Sequence, residues 1–266
     1  LIGGDNLSNF VFDDIPSHVF SLRIAHRGSQ GDVAKNTYTD IEIIQDRSAK
    51  RIEPYVYGRK LPGNLTFPVE IYNKHGNQYP SYEVQAIQEW LFGRAEPKFL
   101  SILDPDKGNE SYLCWLTNPN IVRAAGQVIG WQFEVVCAAP YSFTDIVETR
   151  FECVDEMSII NFHNLSNVED YLYPEMSIEM LGSSTSILME NANDSNRIFS
   201  ITNISQGNSI FVDNNRQFMK AANGENVFQH FNLNWMRFAP GHNRLYVSGR
   251  CIITFRNRFY KAVGGY

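Results

Sequence analysis

The chain has 266 residues, 43% hydrophobic, 13% aromatic and 20% charged, the profile of a folded protein long enough for two domains with separate cores. Its 23 basic and 29 acidic side chains leave a net charge of −6, which repels polyanions and argues against tight nucleic-acid binding. No apolar run approaches the ~18 residues of a membrane span, and the opening LIGGDNLSNF has neither the basic start nor the apolar stretch of a secretion leader, so neither membrane insertion nor leader-driven export is expected.

The dominant pattern along the chain has period two, the spacing of strands with one buried face. In LTFPVEIY, Leu65, Phe67, Val69 and Ile71 point one way, and Pro68, which lacks an N–H, predicts an edge strand or a bulge. One segment departs from that period. In PSYEVQAIQEWLFG, Val84, Ile87 and Leu91 recur at helical spacing, Ser81 is placed to cap the first N–H groups and Gly93 to end the helix. Its single apolar stripe has only strands to pack on, so the first half reads as α+β. Strand alternation resumes in WQFEVVCAAP, with Trp131, Phe133, Val135 and Cys137 on one face.

A boundary is expected at about residues 138–150, where Pro140 cannot continue a central ladder and Asn and Ser become frequent. The domains are therefore expected at 1–140 and 141–266, with the final RFYKAVGGY able to return to the first. Downstream, EMSIEML buries Met176, Ile178 and Met180, and RCIITF buries Cys251, Ile253 and Phe255, between turn clusters at the spacing of a β-sandwich. In FAPGHNRLYVSG, Pro240 fixes φ, Gly241 tolerates a positive φ and Asn243 bonds its own backbone, which predicts a chain reversal into a strand. The fold class is mostly β: an α+β first domain with one short helix, then an all-β sandwich.

Motifs of chemistry are missing. HRGSQGD (26–32) holds Gly28 and Gly31 but neither phosphate-cradling pattern. LDPDKGNE brings Asp104, Asp106 and Glu110 together, yet Asn109 stands where a calcium loop needs its turning Gly, so a strand–turn–strand is expected. The six histidines, His18, His26, His75, His163, His230 and His242, show no zinc spacing, and the four cysteines, Cys114, Cys137, Cys153 and Cys251, form no C-x-x-C and read as buried free thiols. Asp13-Asp14 and Asp155-Glu156 are neighbours that a strand would send to opposite faces, the pattern of solvated turns. No catalytic, cofactor-binding or metal-binding residue is assigned, and the protein is read as not an enzyme.

The order of these features resembles the distal tail proteins (Dit family) of long-tailed bacteriophages. The first half is similar to that family's ring-forming domain in the Arg27–Asp32 loop, the strand 65–71, the helix carrying IQEWL (87–91), the hairpin LDPDKGNESYLCWL (103–116) and the strand 131–137 leading into APYSF. The second is similar to its galectin-like sandwich in YPEMSIEM (173–180), SIFVDNNRQFM (209–219) and FAPGHNRLYVSG. The resemblance implies a virion protein that assembles in the host cytoplasm as a homohexameric ring at the distal end of the tail. Such a ring docks the tail tube protein above, a tail-tip or tail-associated lysin protein below and receptor-binding proteins outside, and leaves a channel for DNA. The alternative from another class is a stand-alone carbohydrate-binding, lectin-like sandwich. Galectins, as the resemblance has it, read sugar with a His-x-Asn-x-Arg strand and a stacking Trp. Here His242, Asn243 and Arg244 are contiguous, so a strand sends Asn243 to the opposite face, and the apolar Phe231 and Leu233 share the face of Trp235, which reads as a core position.

Overall fold

The computed structural model describes residues 8–27, 42–47, 53–60, 64–103 and 109–262. Contacts divide the chain into two compact units, one of Thr144–Lys261 and one of Leu1–Phe143 with Ala262–Tyr266.

The first unit contains β1 (Asn9–Phe12), β2 (Ile15–Pro16), β3 (Leu22–Arg27), β4 (Glu42–Asp46), β5 (Tyr55–Lys60), β6 (Thr66–Asn73), α1 (Ser81–Phe92), β7 (Lys98–Leu103), β8 (Glu110–Ala124), β9 (Gln127–Cys137) and β10 (Tyr141–Phe143). Its main sheet runs β2-β1-β7-β8-β9-β6-β3, with β10 added to β8 through Phe143 and Ser111. The expected faces are observed: Phe67, Val69, Ile71, Trp131, Phe133, Val135 and Cys137 are all buried. On this core α1 lays Ile87, Trp90 and Leu91, with Val84 half-buried beside them. Trp90 completes the helical stripe and anchors it, stacking on Phe10 and Phe20 and donating its indole N–H to the Phe12 carbonyl at 2.9 Å. Satisfying that polar handle lets a large apolar ring be buried without loss.

Three expectations for this unit need correction. Pro68 is in an inner strand, because β6 pairs with both β9 and β3; it is tolerated one residue beyond the last described β3 pair, Arg27 with Val69. A bulge does occur, but in β3 between Ile24 and His26. Ser81 does not cap α1: Pro80 holds the cap position, its carbonyl accepts the Glu83 and Val84 N–H groups, and no side chain caps the end. Gly93 ends the helix as expected, but with φ −84; glycine is required there by close approach, since a Cβ would lie 2.6 Å from the Glu89 carbonyl oxygen. The Arg27–Asp32 loop beyond Arg27, and Asp104 and Asp106, lie outside the described residues. Asp13 and Asp14 form a tight hairpin turn with φ of 50 and 62, as a turn pair should, yet Asp13 is ion-paired with Arg94 at 2.8 Å and Lys98 at 3.6 Å and so is more than a solvated loop residue.

The second unit contains β11 (Val147–Cys153), β12 (Met157–Asn164), β13 (Glu175–Met180), β14 (Ile187–Asn191), β15 (Arg197–Ile201), β16 (Ser209–Asp213), β17 (Phe218–Ala221), β18 (Gly241–Ser248) and β19 (Cys251–Asn257). A five-stranded sheet, β11-β19-β13-β16-β17, and a four-stranded sheet, β12-β18-β14-β15, share one core. Met176, Ile178, Met180, Cys251, Ile253 and Phe255 enter it from the first sheet, and Ile160, Phe162, Met189, Phe199, Leu245 and Val247 from the second. Phe162 stacks on Phe238 at 4.1 Å and meets the edge of Phe255, the interdigitation of a sandwich. The expected linker at 138–150 is shorter than the sequence suggests. It contains β10, and β11 begins at Val147; β11 is an edge strand whose residues are mostly solvent-facing, so VETRFEC lacks the apolar alternation of inner strands.

Candidate assembly surfaces

The turn at 239–243 is built by one buried amide. Gly241 has φ +79, and the Asn243 side chain, 1% exposed, accepts the Ala239 N–H at 2.9 Å and donates to the Ala239 and Gly241 carbonyls at 2.8 and 3.1 Å. A fourth bond comes from Asn191, whose Nδ2 donates to Asn243 Oδ1. Every hydrogen-bonding position of the Asn243 amide is thus used for structure. The strand alternates as expected: His242 and Arg244 are exposed and Asn243 points into the sandwich, so no convergent polar triad exists.

Trp235 is buried, edge-on to Phe231 at 4.8 Å, and its face is not available to a sugar. The expectation that Leu233 shares its face fails. Residues 232–237 are irregular backbone, Leu233 has φ +63 and is exposed, and strand alternation does not apply to such a segment.

The outer face of the four-stranded sheet carries another composition. Cross-strand neighbours there are Ile159 with Tyr246, Asn161 with Arg244, and His163 with His242, whose rings stack at 4.3 Å. Met157, Ile159, Leu188 and Ile198 are exposed on it, and the Arg244 guanidinium lies over the Tyr246 ring at 5.4 Å. Apolar groups mixed with aromatic rings and arginine are the makings of a protein-contact face.

In the first unit the second candidate is the hairpin of β4 and β5. It forms a two-stranded sheet of its own, with a register shift between Ile44 and Gln45. Ile43, Ile44, Val56 and Tyr57 are 58%, 46%, 63% and 68% exposed. A lone two-stranded ribbon is marginal in water, and one that also exposes large apolar side chains gains stability when another surface covers it.

Among the described residues no cluster of three metal-ligating side chains occurs, and no helix is long and apolar enough to cross a membrane. Asp155 and Glu156 lie in an exposed turn, and the Glu110 carboxylate accepts the Tyr112 hydroxyl at 2.8 Å. The Asp194 carboxylate, 2% exposed, is paired in two-point fashion with Arg237, at 2.7 and 3.0 Å, and so holds the 237 segment.

The described residues thus form two units, each with its own core and each with large apolar side chains left exposed on a sheet. Residues 6–139 match the family described as phage tail protein N-terminal domain and residues 141–257 the one described as phage tail C-terminal domain, and the chain belongs to this phage tail family. Its fold is that of the Dit protein of phage SPP1, described as a paradigm of the hub adsorption apparatus of phages that infect Gram-positive bacteria: TM-score 0.64 at 12% identity, over 95% of this chain and 99% of that one. Chains of the phage P2 baseplate in its activated conformation are also similar. The form with Ca gives TM-score 0.58 at 7% identity over 95% and 98% of the two chains, and the form with Sr gives 0.56 at 7% over 96% and 98%. No curated protein sequence matches this one.

Proposed function

We propose that this phage tail protein is the distal tail component, a non-enzymatic subunit of a hexameric ring between the tail tube and the tail-tip or baseplate proteins. The observation that carries the reading is the likeness to SPP1 Dit across both units, covering nearly all of each chain. The apolar β4–β5 hairpin supports it, because a closed ring needs a heterologous contact in which one patch of each copy meets a different patch of the next. In this reading the first unit is the ring-forming belt and the second a galectin-like sandwich that hangs outside, with its four-stranded sheet turned to receptor-binding or baseplate partners. The tail tube protein docks on one side of the ring and a tail-tip or lysin protein on the other, after assembly in the host cytoplasm. Six copies of a chain with net charge −6 leave a lumen that repels phosphate and lets DNA pass without being held.

Light scattering and negative-stain microscopy of the purified protein test this. Six-fold rings with a central hole are expected; a monomer at every accessible concentration, or an assembly of another symmetry, would overturn the reading. Salt-sensitive, micromolar duplex DNA binding by the ring would overturn the proposed lumen.

A further inference from the structure

The four cysteines, dispersed in sequence, are brought together two by two. Cys114 lies directly opposite Cys137 across β8 and β9, and Cys153 directly opposite Cys251 across β11 and β19. All four are buried free thiols. Directly opposed residues of an antiparallel pair have Cα atoms about 4.5 to 5.5 Å apart, inside the window a disulfide spans.

The two pairs differ in position. Cys153 is the last residue of the edge strand β11 and Cys251 the first of β19, so both stand at the end of the sheet. Val154 beside Cys153 is 47% exposed, Asp155 and Glu156 are exposed, and Cys251 follows the Gly249–Arg250 bend. Edge strands fray from such ends at small free-energy cost, which admits a reagent that the static structure keeps out. Cys137 also ends its strand, β9, but Cys114 sits inside the long strand β8, and β8 and β9 are both inner strands of their sheet, with no frayed edge beside them. The thiols differ as well. Hydrogen bonding with the Cys251 side chain, with a smaller contribution from Ser158, lowers the Cys153 thiol and raises that of Cys251, whereas burial pushes the Cys114 thiol well above the ordinary range.

We propose that Cys153 and Cys251 are a modification site, a dithiol that a small-molecule disulfide converts into a cross-strand bond joining β11 to β19, while Cys114 and Cys137 stay reduced. The Cys153 thiolate attacks one sulfur of the reagent, forming a mixed disulfide and releasing one thiolate. That thiolate takes the Cys251 proton; the Cys251 sulfur then attacks the Cys153 sulfur and expels the second half of the reagent as a thiolate, which takes up the proton released when Cys153 ionised. Two protein thiols lose two electrons and two protons, and one reagent disulfide becomes two thiols. A virion leaves the reducing cytosol in which it was made, so this bond would staple the sandwich after release.

The test is incubation of the native full-length protein with oxidised glutathione, followed by alkylation of the remaining thiols under unfolding conditions and non-reducing peptide mapping. A linked Cys153–Cys251 peptide is expected, forming about tenfold or more faster than any Cys114–Cys137 link. Cys251→Ser should halt at glutathione on Cys153, and Cys153→Ser should give neither product. Recovery of all four cysteines alkylated, glutathione persisting on wild-type Cys153 without linkage, or a Cys114–Cys137 bond closing at an equal or greater rate would each overturn the proposal. Mapping of the wild-type protein decides by itself if a variant fails to fold.

Discussion

Asn191 donates its amide to Asn243 at 3.0 Å with both side chains at most 1% exposed, so a buried hydrogen bond ties β14 to the turn that starts β18. Asn243→Ala would remove four hydrogen bonds, leaving the Ala239 N–H and the Gly241 carbonyl without this partner, the Ala239 carbonyl with Asn164 alone and the Asn191 Nδ2 with the Arg237 carbonyl alone. A loss of about 2–4 kcal/mol is expected, measured by urea unfolding with a probe in the sandwich, because buried groups pay their desolvation when a partner is deleted. Asn243→Asp should cost as much or more, since it places a charge among two carbonyl oxygens.

Val56→Glu and Tyr57→Lys place charges on the most exposed apolar residues of the β4–β5 hairpin. Each should abolish the proposed ring assembly in light scattering while shifting the unfolding free energy of the chain by no more than about 0.5 kcal/mol, the usual effect of a surface substitution. Rings that persist in both variants would remove the hairpin from the interface.

A fragment of residues 144–261 should fold as a soluble monomer, because the sandwich core closes within it and Thr144 is itself bound to its far end: the Phe259 N–H donates to the Thr144 hydroxyl at 2.9 Å and the Arg258 guanidinium to the Thr144 carbonyl at 2.9 Å. A fragment ending at Phe143 should keep the capacity to assemble. Light scattering on both decides; assembly confined to the sandwich fragment would reverse the assignment.

Acid should reveal Glu225. Its carboxylate accepts the Ser205 hydroxyl and backbone N–H, the Asn223 amide and the Asn208 amide, and these donors, led by the Ser205 hydroxyl, hold its pKa at about 2 against an ordinary 4.5. A folded-state pKa below the unfolded one gives stability that is present above the unfolded value and lost as pH falls toward 2. Solvent screening keeps the contribution to ~1 kcal/mol. Thermal melts between pH 6 and 2 should show a shallower acid limb in Glu225→Gln than in wild type; identical limbs would contradict the assignment.

Lactose should give no signal above background in titration calorimetry, and a glycan array should show none for galactosides, because His242 and Arg244 face outward without Asn243 and because Trp235 is packed against Phe231. Trp235→Ala should instead cost stability, about 3–5 kcal/mol by the cavity it leaves. A millimolar or tighter Kd abolished by Trp235→Ala would restore the lectin reading.

Strand faces were legible because alternation is a local property: burial of one face forces an apolar residue at every second position, and Phe67 to Ile71 or Trp131 to Cys137 display it without reference to any partner. The Pro-Gly-His-Asn reversal was legible for the same reason, since φ preferences and side-chain reach act within a few residues. Partner identity is not local. Nothing in residues 66–73 says that β3 lies on the far side of Pro68, nothing in VETRFEC shows an edge strand beside β19, and Leu233 escapes its expected face because irregular backbone has no period. The cysteines show the division most clearly. Their spacing predicts four unrelated buried thiols, and burial is correct; that they stand opposite each other in two pairs was decided by strand register, which only long-range packing of the two sheets sets.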